Sequence, residues 1–150
     1  MSIELTMRAE IDAENDSAEL FVRFQERKFS GESSAWIQVA RLRQFASQLA
    51  KYPLDDNSLP TLLGGYWDST GNCIDQEHVH ISVRPSGNLG TLSLFVQLTV
   101  PEDDTFTKIS KRSASIRVAT NYEKIGEVAK GVLSMADGAQ EEFSVSFAEE

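Results

Sequence analysis

The residues best suited to chemistry lie close together in the middle of the chain. Cys73, Asp75, Glu77, His78 and His80 carry the thiol, carboxylate and imidazole groups that bind zinc and other transition metals. On a β-strand the two histidines would project to the same side, because side chains alternate between the two faces. A complete metal shell would need a further ligand from a distant part of the fold, since the chain has 2 histidines and 1 cysteine.

A simpler interpretation of the two histidines needs no metal. Apolar residues alternate with them and account for the buried face of a strand, namely Val79, Ile81 and Val83. His78 and His80 are therefore expected side by side on the solvent face, and we predict no cofactor. Metal binding by His78, His80 and Cys73 is kept as the alternative, together with pH sensing or contact with a partner.

Two large aromatic residues follow a pair of glycines in Gly64-Gly65-Tyr66-Trp67-Asp68. Such a segment closes the edge of a core, anchors a partner protein or forms the rim of a small-ligand pocket. For the second interpretation, Tyr66 and Trp67 supply apolar anchors and nearby acids complete a partner-binding surface: Asp68, Asp75 and Glu77. Trp36 is expected to pack a helix against a sheet.

Catalytic motifs are missing from the sequence. Gly87 and Gly90 open no helix, so there is no glycine-rich phosphate loop, and no serine stands in a nucleophile elbow. Paired acids such as Asp55-Asp56 and Asp103-Asp104 lie in turn-rich polar stretches, where they make poor general acids. We therefore predict that the protein is not an enzyme.

Hydropathy periods give the order of the elements. Alternation predicts strands over 3–11, 20–25 and 29–37, with a weak point at Gly31 that suggests a bulge. The period then changes to that of an amphipathic helix over 39–50. After a long loop over 54–77, the pattern predicts an antiparallel strand pair over 79–83 and 92–100, a strand over 108–119, a second helix that starts with a capping box at Thr120 and Glu123, and a last strand over 143–147.

This order predicts one α+β domain over 1–150, with an antiparallel sheet of about seven strands and two helices packed on one face. The halves 1–53 and 78–138 have the same strand-to-helix pattern, a possible βββα pseudo-repeat. Residues 20–51 and 108–130 each carry six basic and two acidic groups, which supports the repeat. Binary patterning alone produces the same likeness, so a true duplication and coincidence both stay open.

Composition and charge limit the kinds of partner. The formal net charge of −9 repels nucleic acid and anionic lipid, and it suits a basic protein partner as well as simple solubility. No stretch approaches the roughly 18 consecutive apolar residues of a membrane span, and no secretory signal is visible, so we expect the cytosol. A homodimer is expected if the weakly charged strand Leu92–Val100 lies at a sheet edge.

The segment Phe29-Ser30-Gly31-Glu32-Ser33-Ser34-Ala35-Trp36-Ile37, followed by Leu42, Phe45 and Leu49, resembles small bacterial proteins of the WapI-type immunity group. The Trp67 segment and the alternating strand from His78 to Val83 are also similar to that group, and the likeness covers about two thirds of the chain. The resemblance implies a cytosolic, non-enzymatic protein that binds and neutralises a toxin. It identifies no functional residue.

Together these features predict a non-catalytic bacterial interaction domain, with an immunity protein as the specific form. The acids expected to meet a basic partner include Asp55 and Asp56 together with Asp68, Asp75 and Glu77, and the alternative segment is Glu102 with Asp103 and Asp104. The alternative function is a small-ligand or metal-binding domain that uses the 64–80 region, with a pocket roofed by residues 54–77. An enzyme of unrecognised type is the third class.

Overall fold

The computed structural model describes residues 2–87, 89–101 and 111–148. These residues form eight strands and two helices, which confirms the α+β class with antiparallel strands. In chain order the elements are β1 Ser2–Asp12, β2 Ser17–Gln25, β3 Ser30–Gln38, α1 Val39–Leu49, β4 Thr61–Trp67, β5 Ile74–Pro85, β6 Leu92–Thr99, β7 Ser113–Thr120, α2 Tyr122–Ala136 and β8 Glu142–Ala148.

The strands divide between two four-stranded antiparallel sheets instead of forming one sheet of about seven. The first sheet has the order β3-β2-β1-β8 and the second the order β4-β5-β6-β7. β6 therefore lies inside its sheet, between β5 and β7. Because Leu92–Val100 has no free edge, the expected dimer cannot form by strand pairing there.

Strand β3 passes close across the second sheet because its inward side chains are small. A Cβ atom added to Gly31 would lie 2.8 Å from the Cβ of Ala114 in β7, and one added to Gly64 in β4 would lie 2.8 Å from the Cβ of Ala35. Larger side chains at these positions would hold the two backbones apart. The ladder between β2 and β3 runs regularly through Gly31, so the bulge expected there is absent and the glycine serves the crossing.

A hydrogen bond fixes the middle of the same crossing. The buried hydroxyl of Ser33 donates to the carbonyl oxygen of Thr99 at 2.8 Å, which joins β3 to the end of β6. Along β3, successive inward residues thus contact β4, β6 and β7. The two sheets share one core as a result, and that core contains the inner faces of both sheets and of both helices.

The alternating patterns placed most core residues correctly. The predicted inner positions of β1 are buried from Ile3 to Ala9, and the buried face of α1 consists of Val39, Leu42, Phe45, Ala46 and Leu49. The helices pack against each other, α1 beside β3 and β4 and α2 beside β1 and β8. Trp36 is the exception, because it lies on the outer face of β3 with 52% of its surface exposed instead of packing a helix on a sheet.

Strand β8 gives both halves of the fold the same plan. It pairs with β1, so the first sheet is completed by the last strand, and each sheet then leads into a helix: β3 into α1, and β7 into α2. The predicted half-repeats differ from this plan because the segment 54–77, interpreted as a loop, contains β4 and the start of β5. Each sheet with the helix that follows it thus contains four strands and one helix.

The second helix starts one residue later than its predicted cap. Asn121 is the N-cap, and its Oδ1 accepts a hydrogen bond from the backbone N–H of Lys124 at 2.9 Å. Thr120 is the last residue of β7 and caps nothing. Within the described residues, neither α1 nor α2 has the length and apolar character that a bilayer crossing requires.

We predict opposite effects of alanine at two glycines of α2. A Cβ at Gly131 would come within 2.7 Å of three ring atoms of Phe143, whereas a Cβ at Gly126 meets nothing within 4 Å. Gly131→Ala should lower the free energy of unfolding by about 1–3 kcal/mol through overpacking. Gly126→Ala, the matched control, should raise it by about 0.5–1 kcal/mol through helix propensity. Urea denaturation measures both, and a stabilised Gly131→Ala variant would contradict the packing described.

Candidate functional site

The β4–β5 hairpin brings the predicted partner-binding residues together. Tyr66 pairs with Gln76 and Trp67 with Ile74, so the aromatic pair at the end of β4 faces the acidic start of β5. The pairing shifts register between Gly64 and Gly65 and again between Tyr66 and Trp67. Gly65 is required at the first shift, because a Cβ there would overlap the carbonyl oxygen of Gln76.

Asp68 organises the turn at the tip of the hairpin. Its Oδ1 accepts hydrogen bonds from the backbone N–H of Thr70 at 3.0 Å and from the Thr70 hydroxyl at 2.6 Å. The backbone N–H of Asp68 donates to the carbonyl oxygen of Cys73 at 2.8 Å. The hydrogen bond from the Thr70 side chain, with smaller contributions from backbone N–H groups, lowers the pKa of Asp68 below its ordinary value. The predicted docking residue Asp68 thus shapes the turn itself.

Helix α1 holds the hairpin tip in place through Arg41. The Arg41 guanidinium carbon lies 4.3 Å from the centroid of the Trp67 ring, a cation–π contact. The same guanidinium donates to the carbonyl oxygen of Gly71 at 3.4 Å. Trp67 is therefore half-buried beneath an arginine, and Tyr66, 44% exposed, is the aromatic side chain that a partner can reach directly.

Two acids flank Gln76, the residue that pairs with Tyr66. Asp75 and Glu77 are exposed, and the segment 68–77 contains three acids and no basic residue. Asp75 and Glu77 also line a groove of about 400 Å³ whose other walls are polar: Gln76, Gln97, Thr99 and Lys111. The hairpin therefore carries one exposed aromatic ring and two exposed acids on its two paired strands.

The prediction that His78 and His80 share the solvent face is wrong for His78. His78 is 2% exposed, its Nε2 is hydrogen-bonded to Oε1 of Gln76, and its ring packs edge-on against Tyr66 with centroids 4.5 Å apart. The cause is an additional residue in β5: Val79 pairs with Gly64 and Glu77 with Gly65, so His78 lies between two successive pairs. An additional residue of this kind breaks the alternation on which the prediction was based.

His80 keeps the expected outward position. Its Nδ1 lies 3.4 Å from Oε2 of Glu77, and its ring contacts Phe95 edge-on with centroids 5.6 Å apart. Cys73 is a free, exposed thiol in the turn. Across the described ranges 2–87, 89–101 and 111–148, no three His, Cys, Asp or Glu side chains stand close enough to hold a metal ion.

The other acids expected to meet a basic partner lie outside the β4–β5 hairpin. Asp55 is engaged in its own turn, where Oδ1 accepts from the backbone N–H of Asn57 at 3.0 Å and Oδ2 lies 3.9 Å from Nζ of Lys51. Glu102, Asp103 and Asp104 lie outside the described residues.

Arg41 is the residue of the candidate site that the sequence analysis missed. Helical periodicity placed it on the solvent side of α1 and carries no signal for an aromatic partner that comes from a distant hairpin.

Comparison with known proteins adds no further guide. No protein-family model matches the chain, and no curated protein or solved structure matches it either. The resemblance to WapI-type immunity proteins therefore stays a prediction.

We predict a pH-dependent role for Asp68. A carboxylate whose pKa is lowered in the folded state stabilises the fold above the unfolded pKa of about 4, and this contribution is lost as the pH falls through the folded value. Asp68→Asn should therefore lower the melting temperature at pH 7 by a small amount. The difference from wild type should disappear below the folded pKa. Thermal unfolding between pH 7 and pH 2 checks this, and a difference independent of pH would contradict it.

We also predict unequal structural roles for the two histidines. His78→Ala removes a buried ring and its hydrogen bond to Gln76, and should lower the free energy of unfolding by about 2 kcal/mol. His80→Ala affects a partly exposed ring and should cost less than about half of that amount. Denaturant unfolding of the two variants gives the comparison. Equal losses would show that the additional residue in β5 does not bury His78 as described.

Proposed function

We propose that this chain is a non-catalytic protein-interaction domain that binds a basic partner through the tip of the β4–β5 hairpin. The surface consists of Tyr66 as an exposed aromatic anchor and of Asp75 and Glu77 on the paired strand, with Trp67 and Asp68 at the tip of the same hairpin. The observation that carries this proposal is that Arg41 of α1 contacts the hairpin tip at Trp67 and Gly71 while Tyr66 and the two acids stay accessible.

Rigid support favours binding for a physical reason. A loop that must become ordered on binding loses conformational entropy, whereas a hairpin already tied by Arg41 and by the Asp68 turn loses little. Tyrosine is common among the residues that contribute most to protein–protein binding, and charge of one sign around it selects partners of the opposite sign. The net charge of −9 extends the attraction for a basic protein beyond the hairpin.

The absence of catalysis in this proposal rests on where the acids lie. General acids and bases act in sites that shield them from water, whereas Asp75 and Glu77 stand on an exposed surface. The resemblance noted above supports the more specific form of the proposal, a cytosolic bacterial immunity protein whose basic partner is a toxin.

The free thiol of Cys73 provides the experiment. Because the chain has 1 cysteine and it lies exposed in the hairpin turn, a maleimide photocrosslinker attaches there without any substitution. Labelled protein is added to an extract of the native host at low salt and illuminated. We expect one crosslinked basic protein, with a yield that falls as salt rises, and a loss of that product in the variant Tyr66→Ala/Asp75→Asn/Glu77→Gln.

The control moves the label to another exposed turn. In Cys73→Ser/Lys28→Cys the crosslinker sits in the turn between β2 and β3, at the end of β3 that contacts β7 and not β4, and should capture no specific product. Asp55→Asn/Asp56→Asn tests the acids between α1 and β4 and should leave the Cys73 product unchanged. Equal capture from both label positions, no capture from Cys73, or a partner that is not basic would each overturn the proposal.

A further inference from the structure

The last strand of the second sheet has a free edge. β7 lies at the end of the order β4-β5-β6-β7, and among the described residues β6 is the strand that pairs with it. The edge strands β3 and β4 lie against each other, and β8 lies against α2. A cavity of about 790 Å³ lies between residues 117–120 of β7 and the end of β8 at Phe147 and Ala148. An additional strand therefore has room beside β7.

The register identifies the backbone groups that this edge leaves unpaired. The N–H of Val100 donates to the carbonyl oxygen of Arg112 at 2.9 Å, which continues the regular pairing of β6 with β7. In an antiparallel pair the hydrogen-bonded residues alternate along each strand, so the even-numbered residues of β7 direct their N–H and C=O groups towards β6. The odd-numbered residues direct theirs to the free side: Ser113, Ser115, Arg117 and Ala119. These groups make no other backbone hydrogen bond in the described part of the chain.

The inner side chains of β7 also lack a neighbour on this side. Ala114 and Ile116 point towards the core but are only partly buried. Their partners in β6, Leu98 and Val96, are fully buried, because they have a strand on each side. A strand added to β7 would cover Ala114 and Ile116 with alternating apolar side chains of its own.

The charges at this edge favour an acidic strand. Residues 111–120 include Lys111, Arg112 and Arg117 and contain no acid, although the chain as a whole has a net charge of −9. All three cations are exposed, and within the described residues none of them forms an ion pair. Arg117 lies on the outer face, with its guanidinium carbon 5.5 Å from the ring centroid of Phe95. It therefore has no carboxylate partner of its own.

The same cations argue against a second copy of this chain as the occupant. Pairing β7 with β7 of another copy would bring like charges together, which is how natural sheets prevent pairing between their edges. A strand with carboxylates would instead place an acid opposite Arg117 on the outer face, where cross-strand pairs of opposite charge are attractive. At physiological salt, charges farther away than about 8 Å are largely screened, so the acids elsewhere on the chain oppose this contact little.

We propose that the free edge of β7 binds an extended acidic segment of another protein by antiparallel strand addition. The backbone groups of Ser113, Ser115, Arg117 and Ala119 hold the backbone of the segment. Its carboxylates lie on the outer face near Arg117, and its alternate apolar side chains cover Ile116 on the inner face. The site lies at the opposite edge of the sheet from β4, and it is independent of the basic partner proposed for the β4–β5 hairpin.

The test uses the full chain and a synthetic peptide that alternates acids with uncharged residues, acetyl-Glu-Val-Glu-Thr-Glu-Val-Glu-amide. Amide hydrogen exchange of the protein is followed by NMR. In the free protein, the amides of Ser113, Ser115, Arg117 and Ala119 should exchange rapidly, whereas that of Ile116, bonded to β6, should exchange slowly. Saturating peptide should slow exchange at the four odd-numbered amides by at least about tenfold.

Control peptides separate charge from backbone pairing. The lysine counterpart Lys-Val-Lys-Thr-Lys-Val-Lys should give no saturable protection. In the proposed ladder the glutamates are the residues that exchange hydrogen bonds with β7, so methylating the backbone nitrogens of the second and third glutamates should weaken binding at least about tenfold. Methylating those of the two valines instead, whose N–H groups point away from β7, is the matched control and should leave binding nearly unchanged.

Variants of the chain test the same contacts. Ser115→Pro removes an N–H from the free edge without touching the bonds to β6, so it should keep its circular dichroism spectrum and bind the peptide at least about tenfold more weakly. Ser115→Ala keeps the N–H and should bind normally. Arg117→Gln should weaken binding about threefold. Arg23→Gln removes an exposed arginine from β2 in the other sheet and should have no effect.

Four results would overturn the proposal. The first is the absence of slowed exchange with the acidic peptide, and the second is equal binding of the lysine peptide. The third is unchanged binding both in Ser115→Pro and with the methylated glutamates, which would place the peptide elsewhere. The fourth is protection of the odd-numbered amides in the free protein that grows with protein concentration, which would show that a second copy occupies the edge.

Discussion

The close passage of β3 across the second sheet is the contact on which the rest of the fold depends. Only small inward side chains permit it: Gly31, Ser33 and Ala35 face Ala114, the carbonyl of Thr99 and Gly64. The crossing gives the two sheets a common core. It also brings β4 beside β3 and α1, which is why Arg41 can reach Trp67 and fix the hairpin proposed as the docking surface.

The same crossing explains which elements the sequence could predict. β1, β2, β5, β6 and β8 bury large alternating side chains, so their hydropathy pattern shows them directly. β4 was interpreted as loop because Gly64 and Gly65 occupy positions where a strand normally has bulky residues. Those glycines are needed because Ala35 and the backbone of Gln76 fill the space. The pattern of residue types along the chain does not show where a distant residue leaves space only for a glycine.

The candidate sites were predictable to different degrees. The segment with Tyr66, Asp75 and Glu77 could be chosen from its composition, since it combines aromatic and acidic residues between glycines. The burial of His78 could not, because one additional residue in β5 changes the face and leaves no trace in composition.

The pairing of β1 with β8 affects how the chain can fold as it leaves the ribosome. Ser2 pairs with Ala148 and Leu5 with Val145. β1 is the first strand to be synthesised, but it can pair with β8 only after the last described strand has been synthesised. The second unit, β4 to α2, has all its strand partners within a continuous stretch and can form its sheet early. Until β8 is synthesised, one edge of β1 stays unpaired, and this open edge makes the nascent chain vulnerable to aggregation.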